Sequence, residues 1–254
     1  MVLSVLIKYP TQTKEGNKIF FEKKDQELTH LDWAKWAGWF DTDGTFVALR
    51  QKVASLKLTD RQPVELFANT FETSLTDYSS KSITPAGTKY KITMHQALVR
   101  EEKAVWFAKN VYPYLIKEEK KDYAVKLLGY RPTSKDFADW TPDEVTYYLA
   151  TALEGDGSYF YNAKRRNYIQ VRLYSSDVQY LSDVRTLVND KLGELFSGIS
   201  EGPVHKTKRG DRHVYRANGY ASLTRNLDLM RNLIKNGTMT LDRKKQKVQD
   251  FLNQ

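Results

Sequence analysis

The chain has no cysteine in its 254 residues. This absence excludes disulfides, thiolate nucleophiles and cysteine zinc sites, and it fits a reducing compartment inside a cell. Histidine is scarce too, and the four residues show neither HxxxH nor His-Asn-His spacing, which argues against a zinc site or a histidine-based active site. No apolar run approaches the roughly 20 residues of a membrane span, and the N-terminus lacks a convincing signal peptide.

Positive charge is what the chain has in excess. Lys and Arg number 40 against 31 Asp and Glu, so the net charge is +9, and the excess is spread along the chain. With 41% apolar and 13% aromatic residues the chain is globular. A basic globular chain without a membrane signal favours a polyanionic partner, most often nucleic acid.

Two stretches of the chain form an internal repeat: THLDWAKWAGWFDTDGTFVAL, residues 29–49, and TPDEVTYYLATALEGDGSYFY, residues 141–161. Each opens with Thr and an acid three residues later, the capping-box spacing of a helix start. The second copy also has Pro142 at the first helical position, where proline is favoured. Each then runs through small and aromatic residues to an acid-x-Asp-Gly group and an alternating segment typical of a strand.

The repeat excludes two other interpretations of the group FDTDGTF, residues 40–46. A phosphatase loop of the haloacid dehalogenase type needs a buried strand before its aspartates, and the second copy has Glu154 in place of the nucleophile. A calcium loop needs glycine at its sixth position, which is Phe46 here. A plain Asp-Gly turn would not explain two capped copies.

The nine-residue segments WAGWFDTDG, residues 36–44, and LATALEGDG, residues 149–157, resemble the motif of the LAGLIDADG homing endonucleases. Two copies in one chain are similar to the single-chain, monomeric form of that family. The resemblance implies an α+β fold of two pseudo-symmetric αββαββα repeats with saddle-shaped antiparallel sheets. The predicted organisation is an N-terminal extension, a first repeat, a linker and a second repeat, at residues 1–28, 29–128, 129–140 and 141–254.

The resemblance also implies an active site at the ends of the two motif helices. Asp43 and Asp156 would bind Mg²⁺, in sites that Mn²⁺ or Ca²⁺ could also occupy, with Thr42 and Gly155 beside them as further metal-binding candidates. Asp41 and Glu154 are expected to cap or orient rather than bind metal. A polar residue after each return strand would orient water, at Asp60 and Ser175. A basic residue near the start of the last helix of each repeat would be Lys117 or Lys120, and Arg243 or Lys244.

The motif helices must approach closely, which requires small residues one turn apart. If like positions face each other, Gly38 meets Thr151 and Thr42 meets Gly155. We therefore predict that Gly38→Thr destabilises the protein severely, and that Thr151→Gly partly rescues it.

Strand-like segments follow each motif, at residues 45–59 and 158–174, and a twisted ribbon of this kind can lie in the major groove of DNA. Alternate side chains would then face either base edges or the protein's own helices. The predicted DNA-binding residues of the first repeat are Val47, Leu49, Gln51, Ser55, Lys57, Ser80, Ser82, Lys89 and Lys91. Those of the second repeat are Phe160, Asn162, Lys164, Arg166, Gln170, Arg172, Lys206, Lys208, Arg209 and Arg212.

The function implied is hydrolysis of both strands of a long, non-palindromic DNA site, leaving short 3′ overhangs. The alternative is an RNA-splicing maturase, which would bind its own intron RNA, or a DNA-binding relative that does not cut. No intein splicing residues are visible, so we expect a free-standing or intron-encoded protein. Its setting would be the cytoplasm of a bacterial or phage-infected host, or an organelle matrix.

Overall fold

The computed structural model describes residues 6–7, 13–15, 18–20, 26–83, 89–161, 169–202, 205–207, 210–212, 215–220, 226–234 and 238–253. These residues form two compact units. Unit 1 comprises Met1–Thr29, Asp43–Asn110 and Asp122–Pro132, and unit 2 comprises His30–Thr42, Val111–Lys121 and Thr133–Gln254. The first motif helix is therefore part of the same unit as the second, although it precedes unit 1 residues in the chain.

Eight α-helices are described, α1 to α8 in chain order: His30–Thr42, Arg61–Thr70, Glu101–Val111, Glu118–Leu128, Pro142–Asp156, Val178–Leu192, Asn226–Ile234 and Asp242–Leu252. Short 3₁₀ helices lie at Tyr112–Tyr114 and Phe137–Asp139. None of the described helices is long and apolar enough to cross a membrane.

Fourteen strands are described, β1 to β14 in chain order: Leu6–Ile7, Thr13–Glu15, Lys18–Phe20, Gln26–Glu27, Gly44–Ala48, Lys52–Leu58, Leu75–Ile83, Lys89–Arg100, Gly157–Tyr161, Ile169–Ser175, Phe196–Glu201, His205–Thr207, Gly210–Arg212 and Tyr215–Tyr220. Two sheets have four antiparallel strands, in the orders β5-β6-β8-β7 and β9-β10-β14-β11. Three two-stranded sheets join β1 with β4, β2 with β3, and β12 with β13.

Unit 1 is built on the sheet β5-β6-β8-β7, with helix α2 against β6 and β8. One face of the sheet is apolar because Phe46, Ala54 and Leu56 alternate with more polar neighbours along β5 and β6. An aromatic cluster fills the space beneath this face: the ring centroids of Phe67 and Phe107 lie 5.5 Å apart and those of Phe71 and Phe107 lie 5.0 Å apart. Such pairs contribute more than their buried area alone.

Unit 2 is organised around helix α5, which packs mainly against α1 and also contacts α6 and α7. Helix α1 has little contrast between its faces, because Trp33, Trp36, Trp39 and Phe40 are all buried. A helix that is apolar around most of its circumference belongs in a core. The packing therefore explains why the aromatic motif of the first repeat forms a helix that contributes to the core of unit 2.

The predicted ribbons at 45–59 and 158–174 form antiparallel hairpins, β5–β6 and β9–β10. The α+β class with antiparallel sheets is confirmed. The predicted repeats and the compact units divide the chain differently, because α1 is counted with unit 2 and Asp43 with unit 1. The repeat boundaries therefore stay a prediction from the sequence.

Candidate active site

Helix α5 carries Asp156 at its last position and begins with the predicted capping box, which is confirmed. The Glu144 amide donates to Thr141 Oγ1 at 3.2 Å, and the Thr141 amide donates to Glu144 Oε2 at 2.7 Å. The Lys135 ammonium donates to Glu144 Oε1 at 2.6 Å, although Glu144 is buried. The start of α5 is thus fixed by the capping box of Thr141 and Glu144 and by the ion pair between Lys135 and the buried Glu144.

Glu144 should make the stability of the protein fall in acid. Burial raises the pKa of its carboxyl, but the Lys135 ammonium and the bonds to Thr141 outweigh burial and hold the pKa below its usual 4.5. A group whose pKa is lower in the folded than in the unfolded state stabilises the folded protein at pH values above its unfolded pKa. This contribution is lost as the pH falls through the folded pKa.

We expect Glu144→Gln, which keeps a side-chain acceptor, to be less stable than wild type at pH 7. This difference should shrink as the pH falls below the unfolded pKa of glutamate, about 4.3. Urea denaturation at pH 7 and at pH 3.5 measures both values. Asp143→Asn is the matched control, because Asp143 is an exposed acid in the same helical turn. An equal deficit of the Glu144→Gln protein at both pH values would contradict the prediction.

The end of α5 requires glycine at position 157. A Cβ on Gly157 would lie 2.5 Å from Leu153 Cα and 2.6 Å from Leu153 O, inside the preceding helical turn. Gly157 is therefore needed for a direct change of direction from α5 into β9, which leaves Asp156 at the junction.

Asp156 lies among lysines. Burial raises the pKa of its carboxyl, and the positive charges of Lys117, Lys244 and Lys120 act in the opposite direction. Lys117 and Lys120 lie at or near the start of α4, and Lys244 lies at the start of α8. The positive charges that act on Asp156 therefore come from the starts of two helices. A partly buried carboxylate whose pKa is shifted by burial against nearby positive charges is a candidate functional group.

The close approach of α1 and α5 confirms the predicted pairing of Gly38 with Thr151. A Cβ on Gly38 would lie 2.2 Å from Thr151 Oγ1 and 2.3 Å from the carbonyl oxygen of Tyr148. The Thr151 hydroxyl also donates to the carbonyl oxygen of Lys35 in α1, at 2.7 Å. The rescue predicted for Thr151→Gly is at most partial, because the clash with the Tyr148 carbonyl remains after the threonine side chain is removed.

Asp41 anchors the start of α4 from within the core. Its Oδ2 accepts bonds from the Ile116 amide at 2.8 Å and from the Tyr148 hydroxyl at 2.6 Å, and its Oδ1 accepts from the Lys117 amide at 3.3 Å. Burial raises the pKa of Asp41 to about 6, against the opposing effect of these bonds and of the Lys120 charge. The expected capping and orienting role of Asp41 is thus confirmed.

Glu154 anchors the start of α8 as Asp41 anchors the start of α4. Its Oε1 accepts bonds from the amides of Thr240 and Leu241, the latter at 2.7 Å. Burial raises the pKa of Glu154 to about 7, opposed by these bonds and by the charges of Lys35 and Lys244. In both cases the acid two residues before the catalytic candidate binds the two amides that immediately precede a helix.

This equivalence identifies corresponding lysines. Counting four residues from the first anchored amide leads from Ile116 to Lys120 and from Thr240 to Lys244. Lys244 is buried and its ammonium donates to main-chain carbonyls at the end of α5, whereas the predicted Arg243 is exposed. Lys117, the predicted residue of the first repeat, has its ammonium 5.7 Å from the centroid of the Tyr180 ring.

Of the two residues predicted at the ends of the return strands, one occupies a helix start and the other does not. Asp60 is the N-cap residue of α2, and Ser175 is the last residue of β10. The Ser175 hydroxyl accepts a bond from the Asp177 amide at 3.1 Å, and Asp177 caps α6 by accepting from the Tyr180 amide. The counterpart of Asp60 at a helix start is thus Asp177, which the dipeptides Thr59-Asp60 and Ser176-Asp177 could have indicated.

The DNA-binding candidates of β5 and β6 with described side chains share one side of the hairpin. Val47, Ser55 and Lys57 alternate with the core residues Phe46, Ala54 and Leu56, so they lie on the face away from the core. Lys57 is exposed and its ammonium lies 4.7 Å from the Tyr78 ring centroid, whereas Ser55 is buried.

At the turn between these strands Leu49 is 89% exposed, and the exposed Gln51 accepts a bond from Arg100 at 2.9 Å.

The other candidates are placed less uniformly. Arg172 alternates with the buried Val171 and Leu173 and so lies on the face of β10 away from the core, whereas Lys91 alternates onto the face of β8 that carries Ala97. Several candidates are described only by their position in strands, namely Ser80, Ser82, Lys89, Phe160, Gln170, Lys206 and Arg212. Outside the described residues lie Asn162, Lys164, Arg166, Lys208 and Arg209.

The metal-binding candidates offer oxygen ligands. Asp156 presents a carboxylate, and hard cations such as Mg²⁺ prefer oxygen. The Thr42 hydroxyl donates to the carbonyls of Gly38 and Trp39, and Thr42 also offers a main-chain carbonyl oxygen, as Gly155 does. Within the described part of the chain, no group of three or more His, Cys, Asp or Glu side chains could hold a metal.

Comparison with known proteins gives a similarity among solved structures. No protein-family model matches the chain. No curated protein matches it either. The solved structure of the homing endonuclease I-WcaI bound to its DNA recognition sequence matches with a TM-score of 0.50 and 13% identity, over 87% of this chain and 87% of that one. The fold is that of a homing endonuclease. Within this homing endonuclease fold, α1 and α5 are the two helices that carry the repeated motif.

Proposed function

We propose that the protein is a site-specific DNA endonuclease that uses divalent metal to hydrolyse both strands of a long, non-palindromic site, leaving short 3′ overhangs. It would act as a monomer whose two pseudo-symmetric LAGLIDADG repeats read different halves of the target. The observation that carries the proposal is the pair of motif helices. Helices α1 and α5 pack against each other at Gly38, and each leads directly into a candidate catalytic acid, Asp43 or Asp156.

Asp43 and Asp156 would hold Mg²⁺, together with the main-chain carbonyls of Thr42 and Gly155. When bound, the metal supplies charge neutralisation at the scissile phosphate and makes a water more acidic. The chain contributes the position of the acids: the helix pair fixes the last turn of α5, and Gly157 allows the immediate exit into β9.

The lysines around Asp156 contribute charge. Lys117 and Lys120 belong to the part of the chain that Asp41 anchors, so a buried carboxylate sets where their positive charges stand. Positive charge held in place before the reaction stabilises the extra negative charge of the transition state without reorganisation. We propose Lys120 and Lys244 as the equivalent basic residues of the two repeats.

The DNA partner is supported by the net charge of +9 and by the two antiparallel sheets. On the described strands, Lys57 and Arg172 stand on faces away from the cores, where they would meet phosphates or base edges. The solved neighbour with the same fold is described as bound to its DNA recognition sequence. We propose the same use of the sheets here.

Cleavage of a plasmid library with a randomised insert tests the function. Purified protein and Mg²⁺ are added, and the new ends are sequenced. We expect breaks at one or a few long related sites, with both strands cut a few bases apart. Binding of the library without any break would overturn the nuclease proposal and move the function to RNA splicing or to DNA binding alone, for which the intron RNA would be the next partner to test.

A further inference from the structure

We infer that Lys244 is a positioning residue that holds the end of α5, and with it Asp156, through the main chain. Its ammonium donates to three carbonyl oxygens, those of Leu153 at 2.7 Å, Glu154 at 2.6 Å and Gly157 at 2.9 Å. These carbonyls lie on both sides of Asp156 in the chain. The role of Lys244 in catalysis rests on the proposed nuclease function, but its role at the helix end does not.

The ammonium is fully engaged by these bonds. A lysine side chain has three N–H donors and no acceptor, and here each donor has one carbonyl partner. Lys244 is 5% exposed, so its charge is removed from water. No donor is left for a DNA phosphate, and this separates Lys244 from a lysine that contacts the substrate directly.

The location of Lys244 in its own helix supports the same role. It lies in the first turn of α8, where the helix dipole disfavours a positive charge. The end of α5 offers what the start of α8 does not, because its last carbonyls carry partial negative charge and can accept further bonds, although the Leu153 carbonyl also accepts from the Gly157 amide. The lysine is therefore stabilised by the neighbouring helix rather than by its own.

Glu154 completes the arrangement in the opposite direction. From the end of α5 its carboxylate accepts bonds from the amides of Thr240 and Leu241, directly before α8. The end of α5 and the start of α8 thus exchange a cation and an anion, each placed against the helix terminus of opposite partial charge. We call this arrangement of Glu154 and Lys244 the helix clasp.

The helix clasp fixes the main chain from which the Asp156 side chain projects. Asp156 is the last residue of α5, where helices fray unless their terminal carbonyls are bonded. Loss of the ammonium would release the carbonyls on both sides of Asp156 and allow its carboxylate to take several positions. Cleavage depends strongly on such positions, since a small misplacement of a catalytic group can reduce the rate by about 100-fold.

Lys244→Met tests the inference, with Lys247→Met as the matched control. Both variants lose one positive charge from α8, but Lys247 is exposed and makes no part of the clasp. Three quantities are measured: hydrogen exchange of segments 149–157 and 238–244, kcat and KM on a site recovered from the library, and the salt dependence of binding to a random-sequence 40-base-pair duplex in Ca²⁺.

For Lys244→Met we expect amide exchange about tenfold faster in both segments, because without the ammonium the last turn of α5, and with it the segment that Glu154 holds before α8, opens more often. We expect kcat to fall with KM unchanged, and the salt slope to equal that of wild type. Lys247→Met should show neither the faster exchange nor the fall in kcat. A slope shallower by about 0.9, with unchanged exchange, would mean that Lys244 neutralises a phosphate and would overturn the inference.

Lys244→Arg covers the case in which the methionine variant does not fold. Arginine keeps the charge and the donors, so slow exchange and most of kcat should be retained, and fast exchange with full activity would overturn the inference. The exchange experiment needs no substrate. If wild type cuts no DNA, the nuclease proposal fails while the helix clasp is still tested.

Discussion

Replacing Asp156 or Asp43 by asparagine is expected to reduce DNA cleavage by about 10³-fold or more, because a metal-binding carboxylate contributes several kcal/mol to the transition state. Asparagine preserves the shape of the side chain and removes its charge. DNA binding should be retained in both variants, since a negative charge that faces phosphates is lost. The measurement is single-turnover cleavage of a recovered site with Mg²⁺, beside binding in Ca²⁺.

Asp190→Asn is a suitable control, because Asp190 is exposed near the end of α6, next to Lys191. It changes the net charge by the same amount and should cut DNA as wild type does. Persistence of full cleavage in the Asp43 and Asp156 variants would leave the fold in place but remove these acids from the mechanism. Loss in one variant only would mean that one repeat carries the chemistry alone.

Replacing Gly38 by alanine is expected to destabilise the protein by about 3 kcal/mol or more, as overpacking of a rigid core does in severe cases. The added Cβ meets the Tyr148 carbonyl at 2.3 Å, and a backbone oxygen in α5 cannot move aside unless the helix moves. In an ordinary helix the same change would stabilise by about 1 kcal/mol, since alanine has the higher helix propensity. The sign of the effect is therefore diagnostic, and urea denaturation measures it.

Gly198→Ala is the matched control, because a Cβ there meets nothing within 4 Å. Its stability should stay close to that of wild type. We expect Gly38→Ala combined with Thr151→Gly to remain destabilised, since the carbonyl clash persists and the bond from Thr151 to the Lys35 carbonyl is lost. A Gly38→Ala protein as stable as wild type would contradict the observed helix contact.

Local features of this protein were readable from the sequence, because their physics acts over a few residues. The capping box of Thr141 and Glu144 follows from a three-residue spacing, and the hairpins follow from alternation after each Asp-Gly. The facing of Gly38 and Thr151 followed from comparing two copies of one motif. These patterns indicated the fold class as well as the pair of candidate acids.

Long-range partners were not readable in this way. Asp41 and the Tyr148 hydroxyl are 107 residues apart in the chain, and Lys244 lies 91 residues from the Leu153 carbonyl it binds. Helical spacing from Leu241 to Val248 places Lys244 and Lys245 near the apolar face and Arg243 away from it, but it does not decide between the two lysines, because burial depends on how α8 meets α5. Asp177 is a different case, because an N-cap depends on local sequence and the dipeptides Thr59-Asp60 and Ser176-Asp177 could have indicated it as the counterpart of Asp60.

The membership of α1 in unit 2 has a consequence for building hybrid enzymes. If all residues before 141 were exchanged for the first half of another protein of this fold, α1 would be replaced. Helix α5 would then pack against a helix from that other protein. The contact at Gly38 tolerates no added atom, so such a chimera would need its two motif helices taken together, as one transplanted part. In this protein, the part that must be transferred intact is the pair α1 and α5 rather than half of the chain.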